Sequence, residues 1–284
     1  MSRRLAAEDF RVELEDRGLV RIWTWARPAR RNAFQRAAWD LLAQEVEAMA
    51  DEIAEPGSGP RCLVLHGEGG VFAAGADLTE MLSFNADQAQ GFLHSVERLL
   101  SGLEALPIPV IAAMDGAALG GGLELALACD LRLASKEASL GVPAARLGAV
   151  LTHRLVARLA RAIGPSRAAE LLLTGRRVSA PEALQMGLVQ KLAPPGEVLA
   201  AAFDWATGVA ANAPMSVRPV KAALAGWGLP AAAGGSPGGV PSGDSARRLP
   251  PEEVERFVRG CLSEDFHEGA TAFLERRSPV FRGK

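Results

Sequence analysis

Short apolar segments alternate with segments of helical spacing in the first half of the chain, and this alternation limits the possible folds more than any other feature. Residues 61–67, 109–116 and 130–135 are apolar runs of strand length, whereas 33–53 and 86–105 repeat apolar residues at helical spacing. Strands that alternate with helices form βαβ units, in which helices cover a largely parallel sheet on both faces. The sequence therefore predicts an α/β fold.

The two ends of the chain differ from this alternating region. Residues 10–28 alternate apolar and polar side chains and turn at Asp16-Arg17-Gly18, which predicts a β-hairpin. After Leu155 the pattern is mostly helical. The helices predicted there cover residues 154–163, 166–175, 178–189, 197–227 and 251–275.

Local signals indicate where two of these helices begin and end. Ser166 is a candidate N-cap of the helix over 166–175, and Gly175 is a candidate C-terminal stop. Ser179 and Glu182 have the spacing of a capping box, in which each residue satisfies a free N–H group of the other.

A segment rich in glycine and proline lies between the last two predicted helices, at residues 228–250, and predicts a loop. It contains a G-x-S-x-G pattern around Ser236, but a nucleophile elbow needs a strand before this pattern and a helix after it. We therefore expect no catalytic role for Ser236. We divide the chain into a core domain over 1–205 and a helical C-terminal region over 206–284.

Charge and cysteine usage exclude several classes of function. The formal net charge of -2 gives no reason to expect nucleic acid or an anionic membrane surface as a partner. No run reaches the roughly 18 apolar residues of a membrane-spanning helix. Cys62, Cys129 and Cys261 are widely spaced and lack the pairing typical of metal sites, so we expect reduced thiols, no metal and a cytoplasmic protein.

Glu124 is the most unusual residue of the sequence, because it lies in a helical segment that is otherwise apolar. Leu123 and Leu125 flank it, and a helix that is apolar on all sides is normally buried. A buried carboxylate must be paired, hydrogen-bonded or neutral. Glu124 is therefore either a structural partner, for which Arg132 is close enough in sequence, or a desolvated acid/base.

Two glycine turns follow predicted strands, in AAGAD at 73–77 and LGGGLE at 119–124. Such turns can leave backbone N–H groups unpaired, and the second turn also begins a helix, whose dipole favours negative charge. Two converging N–H groups would form an oxyanion hole, which polarises a carbonyl group and stabilises negative charge on its oxygen. The alternative is that both turns serve only close packing.

Six blocks of the sequence recur in the same order in a known family: ARPARRNAF (26–34), VFAAGADLTEM (71–81), PVIAAMDGAALGGGLELALACDLRLAS (109–135), RLG (146–148), LLLTGRRVSAPEALQMGLV (171–189) and EGATAFLERRSPVF (268–281). On these blocks the chain resembles the enoyl-CoA hydratase/isomerase (crotonase) superfamily. The resemblance implies an α/β crotonase (ClpP-like) spiral of repeated ββα units with a helical C-terminal trimerisation region. It also implies homotrimers or homohexamers, an acyl-CoA thioester substrate, an enolate intermediate and no cofactor beyond the substrate's own coenzyme A.

The resemblance assigns expected roles to individual residues. The backbone N–H groups of Ala76 and Gly121 would form the oxyanion hole, and Glu124 falls on the first of the family's two catalytic glutamates. The coenzyme A moiety would lie along Ala29, Arg30 and Arg31, and the two arginines could neutralise its phosphates. The full set of residues expected to bind substrate is Ala29, Arg30, Arg31, Ala74, Asp77, Leu78, Gly122 and Ala144.

The chain departs from the family pattern at the second catalytic glutamate. Hydratases of the family have a G-x-P-E segment, whereas this chain has Gly141-Val142-Pro143-Ala144, so Glu124 would act alone. Losing one positioned acid/base typically costs ~10²–10⁴-fold in rate. We expect an enoyl-CoA hydratase-like enzyme with Glu124 as general acid/base. A double-bond isomerase and an acyl-CoA-binding protein with little catalysis are the alternatives.

Three further ionisable residues lie near these segments. His153 is expected to be an exposed histidine on a helix. Asp77 and Glu80 are acids near the expected site, and Asp77 belongs to the ordinary family turn, which favours a structural role for it.

Overall fold

The computed structural model describes residues 2–55 and 57–225, together with residues 264, 265, 268, 272, 275, 277 and 279–284 near the C-terminus. The loop predicted over 228–250 with its Ser236, the thiol of Cys261 and most of the helix predicted over 251–275 lie outside the described residues. Cys62 and Cys129 are buried free thiols, which confirms the prediction for these two. No helix among the described residues is both long enough and apolar enough to cross a membrane.

The strands form two sheets. In chain order they are β1 (Ser2–Ala7), β2 (Phe10–Arg17), β3 (Val20–Ala26), β4 (Cys62–Gly67), β5 (Val71–Ala73), β6 (Val110–Met114), β7 (Ala117–Leu119), β8 (Leu131–Ser135), β9 (Ser139–Gly141), β10 (Val178–Ser179) and β11 (Lys191–Ala193). The larger sheet has the order β1-β2-β3-β4-β6-β8-β11. Strands β1 to β3 are antiparallel, and from β3 onwards each strand is parallel to its neighbour. The predicted hairpin and the predicted parallel sheet are therefore confirmed.

The smaller sheet has the order β10-β9-β7-β5. Its strands contain only two or three residues each, which is too short for a recognisable alternation of side chains. The sequence accordingly predicts a turn over residues 68–78, after the strand at 61–67, where the structure has β5. Because β5 and β7 are parallel neighbours, their carboxyl ends lie side by side, and the two glycine turns begin there.

The helices, in chain order, are α1 (Arg36–Ala54), α2 (Leu78–Met81), α3 (Ala86–Ala105), α4 (Gly121–Leu127), α5 (Ala144–Leu147), α6 (His153–Ile163), α7 (Pro165–Thr174), α8 (Ala180–Met186), α9 (Val198–Ala210) and α10 (Pro214–Ala225). The prediction of a single helix over 197–227 is wrong. The chain leaves the helix at residues 211–213, and Pro214 begins a new one because proline favours the first helical position.

Helix caps agree with the sequence signals only in part. The Ser166 prediction is wrong, since Pro165 takes the first position of α7 and the N-cap falls on the residue before it. Gly175 ends α7 in the left-handed conformation, as predicted. Ser179 caps α8 by accepting a hydrogen bond from the Glu182 N–H group, but the Glu182 carboxylate binds an arginine instead of completing a capping box.

Apolar side chains pack on both faces of the larger sheet, as the βαβ pattern predicts. Neighbouring residues of β4 point to opposite faces, so Leu63 and Leu65 belong to one core and Cys62 and Val64 to the other. Helix α9 covers the smaller core with a row of alanines. The larger core includes residues of α1, α3 and α4, and it contains the apolar neighbours of Glu124.

Candidate active site

The two glycine turns pack against each other, backbone to backbone. Gly75 has φ +102°, in the region that favours glycine, and a Cβ atom built on it would lie 2.7 Å from the Leu119 carbonyl oxygen and 3.2 Å from the Gly121 nitrogen. A side chain at Gly75 would therefore separate the turns. This contact brings the first turn directly beside the start of α4.

The Ala76 N–H group is free because of the way the first turn is held. Phe34 donates its N–H to the Gly75 carbonyl at 2.8 Å and accepts a hydrogen bond from the Asp77 N–H at 2.9 Å. This parallel bridge uses the residues before and after Ala76, so the N–H group of Ala76 itself points away from Phe34. It donates to no acceptor in the described part of the chain.

The Gly121 N–H group is free because it begins α4. The preceding residue, Gly120, is the N-cap with φ +52°, and its own N–H donates to the Gly141 carbonyl at 2.8 Å. The Gly121 N–H has no acceptor among the residues that the structure describes, as is usual at the start of a helix. A Cβ atom on Gly121 would lie 3.6 Å from the Ala76 nitrogen. The two free N–H groups are therefore neighbours and can serve one oxygen atom.

The second turn also packs tightly against β5 and α1. A Cβ atom on Gly122 would lie 2.5 Å from the Ala73 carbonyl oxygen and 2.7 Å from the Ala73 Cβ atom. The Trp39 ring lies 3.1 Å from the position of a Cβ atom on Gly121. Close packing of the glycine turns is therefore observed, and it fixes the direction of the two N–H groups; the oxyanion hole stays a prediction.

Glu124 is buried, with 6% of its surface exposed, in the first turn of α4. Its carboxylate makes no hydrogen bond and no ion pair with any described residue. Burial raises the pKa of Glu124 to about 7, the charge of Arg158 acts to lower it, and the charge of Glu97 acts to raise it. The carboxyl group is thus desolvated, and its pKa is raised toward neutral pH.

Arg132 is not the partner of Glu124. Its guanidinium group donates to the carbonyl oxygens of Leu188 at 2.7 Å and Cys129 at 2.8 Å. These bonds hold the end of α4 and the segment before β11, so the structural role considered for Arg132 beside Glu124 is contradicted.

Asp77 and Glu80 hold the backbone around the first turn. Asp77 is the N-cap of α2 and accepts hydrogen bonds from the Thr79 N–H at 2.9 Å and from Arg27 at 2.6 Å. Burial alone would raise the pKa of Asp77, but the Arg27 bond and the backbone N–H bonds lower it below its usual value. Glu80 accepts from the N–H of Arg36, which begins α1. No described group of three or more His, Cys, Asp or Glu side chains has an arrangement that could hold a metal ion.

The basic turn over Ala29, Arg30 and Arg31 lies next to the first glycine turn. The Arg31 carbonyl accepts the Ala74 N–H at 3.1 Å, which ties the two segments together. Arg30 and Arg31 are exposed and form no ion pair with another described residue. Leu78, at the start of α2, is half exposed. The predicted substrate contacts in this region remain Ala29, Arg30, Arg31, Asp77 and Leu78.

Asn32 is a structural residue that the sequence reasoning missed. It is buried with φ +56°, its side-chain oxygen accepts the Arg27 N–H at 2.8 Å, and its side-chain nitrogen donates to the carbonyls of Glu68 at 2.9 Å and Val71 at 2.6 Å. Asparagine tolerates this conformation better than most residues. An asparagine directly after Pro-Ala-Arg-Arg could have indicated a turn residue with a structural side chain.

Ala144 and His153 lie at the starts of two neighbouring helices. Ala144 is the first residue of α5 and is buried in the larger apolar core. His153 is the first residue of α6 and is exposed, which confirms the expectation of an exposed helix histidine. Position 144 thus carries a small, buried apolar side chain and no ionisable group.

A cluster of charges around the buried Arg158, between α3 and α6, was also missed; we call it the α3–α6 charge cluster and define it as Glu97, Glu104, Arg158 and Arg161. The Arg158 side chain is fully buried and donates to both oxygens of Glu97, at 3.3 and 3.2 Å, and to both oxygens of Glu104, at 3.2 and 3.0 Å. Arg161 also binds Glu104 at 3.0 Å. Glu97 and Glu104 are seven residues apart, a spacing that puts both on one helix face and could have indicated the cluster.

Comparisons with known proteins agree on one family. The family model described as enoyl-CoA hydratase/isomerase matches residues 16–227. YngF of Bacillus subtilis, whose name carries the same description, is 37% identical over 96% of this chain and 97% of its own length. The short-chain-enoyl-CoA hydratase of Clostridium acetobutylicum is 35% identical over 94% of this chain and 95% of its own. A solved enoyl-CoA hydratase structure from Bacillus anthracis has a TM-score of 0.83 at 32% identity, over 96% of this chain and 99% of that one.

Proposed function

The chain belongs to the enoyl-CoA hydratase/isomerase family of the crotonase superfamily, and from this premise we propose that it adds water to a 2-enoyl-CoA thioester. Family membership makes it an acyl-CoA enzyme of hydratase or isomerase type. The observation that carries the proposal is the pair of free N–H groups at Ala76 and Gly121 beside a desolvated carboxylate. Glu124 follows Gly121 by three residues on α4, a spacing that puts both on one side of the helix.

In the proposed reaction the Ala76 and Gly121 N–H groups donate hydrogen bonds to the thioester carbonyl oxygen. The ionised Glu124 carboxylate takes a proton from water while the water oxygen bonds to C3. Electrons of the C2=C3 bond move toward the carbonyl, and the two N–H groups stabilise the negative oxygen of the resulting enolate. Protonated Glu124 then gives its proton to C2, which completes the addition of one water molecule.

The protonation of Glu124 suits this sequence of steps. A group that first accepts and then releases a proton works best when its pKa is near the working pH. Burial in the apolar α4 environment raises the pKa of Glu124 to about 7, so both forms are accessible in neutral solution. The reaction begins with the ionised form, and the rate should fall as the pH is lowered below 7.

Isomerisation of the double bond is the second candidate, and Ala144 is the observation that favours it. Isomerisation removes a proton from one carbon and returns it to another, and a single carboxylate can do both in turn. The same two N–H groups would stabilise the enolate of the thioester. The apolar side chain at position 144 offers no second acid for an incoming water molecule.

We further propose that the coenzyme A moiety binds along Ala29, Arg30 and Arg31, where the exposed guanidinium groups can meet its phosphates. Ala74 and Leu78 would contact the rest of the substrate, and no cofactor beyond the substrate's coenzyme A is needed. We expect homotrimers or homohexamers in the cytoplasm, with the chain acting in fatty-acid β-oxidation.

Product analysis on a panel of enoyl-CoA thioesters tests the proposed function. Formation of 3-hydroxyacyl-CoA is the expected result. A shifted double bond without hydration would establish the isomerase, and tight binding of all thioesters without turnover would contradict both. Free coenzyme A serves as the control for binding that does not depend on the acyl group.

Ala144→Glu is expected to raise the rate of crotonyl-CoA hydration by ~10-fold, because it restores a carboxyl group where family hydratases have one. The gain should remain below the full value of an acid/base, ~10²–10⁴, because the surroundings of residue 144 are not built to orient the new side chain. The initial rate of 3-hydroxybutyryl-CoA formation measures this effect.

Ala145→Glu is the matched control for this test, because residue 145 is exposed and adjacent and the change in net charge is the same. A folded Ala144→Glu protein that binds coenzyme A normally but hydrates no faster than wild type would contradict the prediction. The prediction would also be contradicted if the wild-type protein already hydrated crotonyl-CoA as fast as enzymes with two glutamates.

A further inference from the structure

The start of α1 is tied to the first glycine turn. Phe34, which lies two residues before α1, forms the bridge that holds Ala76. The Glu80 carboxylate, from the segment after this turn, accepts a hydrogen bond from the Arg36 N–H at 2.9 Å. Trp39 is the fourth residue of α1, and its N–H donates to the N-cap carbonyl at 3.2 Å. The backbone of Trp39 is therefore fixed relative to the turn that contains Ala76.

The ring of Trp39 reaches from α1 to the second glycine turn. Its atoms Cζ2 and Cη2 lie 3.1 and 3.4 Å from the position of a Cβ atom on Gly121, and the Ala76 nitrogen lies 3.6 Å from the same position. The ring also packs against the Phe34 ring, with centroids 4.8 Å apart and an angle of 36° between the planes. The pair of Phe34 and Trp39 thus connects the two turns that supply the free N–H groups.

Packing alone holds the Trp39 ring. The residue is fully buried, and its Nε1–H has no acceptor within the part of the chain that the structure describes. A buried ring without a hydrogen bond takes the position that its neighbours allow, because protein interiors are close-packed and leave few gaps. The same contact acts in return on Gly121, whose backbone cannot move toward α1 while the ring is there.

We propose that Trp39 is a positioning residue for the oxyanion hole: its ring sets the separation between the Gly121 and Ala76 N–H groups. This inference rests on the proposed role of those two groups. Because Trp39 is fully buried, it acts through Gly121 and does not touch the substrate. An oxyanion donor is effective at about 2.7–3.1 Å from the oxygen that it serves, and a misplacement of about 1 Å can cost ~10²-fold in rate.

Trp39→Leu tests the inference, and Trp23→Leu is its matched control. Leucine is too short to fill the space between α1 and Gly121, so the start of α4 gains freedom to move. Trp23 is buried in the same core, and its Nε1–H also has no acceptor among the described residues. It lines a cavity with Met49 of α1, nearly three helical turns further along the helix than Trp39. We therefore expect similar losses of thermal stability from the two substitutions.

Only Trp39→Leu should lower kcat for an enoyl-CoA substrate, by about 10- to 100-fold, because the two donors lose their alignment while the fold remains. Its KM should change little, since an interaction that strengthens in the transition state contributes mainly to kcat. Trp23→Leu should retain the kcat and KM of wild type when rates are divided by the concentration of folded protein.

Ionisation of bound acetoacetyl-CoA gives a second readout that needs no turnover. This 3-oxoacyl thioester releases its C2 proton to the solvent and becomes an enolate, which absorbs in the near ultraviolet and is stabilised by the same two N–H groups. The ratio of enolate to ketone in the bound ligand does not depend on the amount of folded protein. Trp39→Leu should lower this ratio by about tenfold and Trp39→Phe by less, whereas Trp23→Leu should leave it unchanged.

Equal ratios in wild type and Trp39→Leu, or equal decreases in the two leucine variants, would overturn the inference. If Trp39→Leu does not fold, the same comparison is made between Trp39→Phe and Trp23→Phe. A wild-type protein that binds acetoacetyl-CoA without forming any enolate would instead contradict the proposed oxyanion hole of Ala76 and Gly121.

Discussion

Glu124→Gln is expected to lower the turnover of an enoyl-CoA substrate by about a hundredfold or more, with the fold and acyl-CoA binding unchanged. Glutamine has nearly the same shape as glutamate, but it cannot accept and release a proton at neutral pH. Steady-state kinetics together with calorimetric binding of an acyl-CoA measure the effect. Glu137→Gln, which removes an exposed carboxylate after β8, controls for the change in net charge.

The same variant should be more stable than wild type at alkaline pH. The pKa of Glu124 is about 7 in the folded protein and 4.5 as its ordinary value, so the folded state holds the proton more tightly than the unfolded state. Wild-type stability must then fall as the pH rises from about 4.5 to about 7. Glutamine avoids this loss, which is about 3 kcal/mol above pH 7.

Denaturant unfolding of both proteins at pH 5 and pH 8 measures this difference. The two proteins should be close in stability at pH 5, and the variant should be the more stable at pH 8. Unchanged turnover in a folded Glu124→Gln protein would return the residue to a structural role. Equal stabilities at both pH values would contradict the desolvation of its carboxylate.

Gly122→Ala is expected to lower kcat by about 10²–10³-fold, the effect of losing one oxyanion donor. The added methyl group would lie 2.5 Å from the Ala73 carbonyl oxygen, so the start of α4 must move away from β5. That movement turns the Gly121 N–H away from the Ala76 N–H. A loss of stability of roughly 1–3 kcal/mol should accompany it, as for other overpacked sites.

Gly208→Ala is the control for Gly122→Ala, because nothing lies within 4 Å of a Cβ atom on this exposed glycine of α9. It should leave turnover unchanged and stabilise the protein slightly, since alanine is the better helix former. A Gly122→Ala protein with the kcat of wild type would show that the Gly121 N–H has no part in catalysis.

The sequence pattern was sufficient to predict the long helices but not the short strands. The helix predicted over 86–105 matches α3 residue for residue, because twenty residues of amphipathic spacing leave little ambiguity. The strands of the smaller sheet have two or three residues, and their conformation depends on neighbours that are distant in sequence. The break at 211–213 lies directly before Pro214, which favours the first position of a helix, so this local signal was present in the sequence and was not used.

The candidate site shows the same division. Glu124 and the glycine turns were visible because an isolated carboxylate and clustered glycines break the apolar pattern. The charged residues that act on Glu124 could not be predicted from the sequence. Closeness in sequence favours Arg132, which binds backbone carbonyls instead. The charges that act on the pKa of Glu124 belong to Arg158 and Glu97, on other helices. Pairing between helices depends on how they pack, and no local pattern reports it.

The bridge between Phe34 and Ala76, together with the contact between the two glycine turns, has a consequence for folding kinetics. Phe34, Ala76 and Gly121 are each separated from the next by more than forty residues, and contacts between such distant segments form late because long loops must close first. In a refolding experiment the helical circular dichroism signal should recover before enzymatic activity does. Regained turnover therefore marks completion of the whole parallel core, and not the formation of any one of its βαβ units.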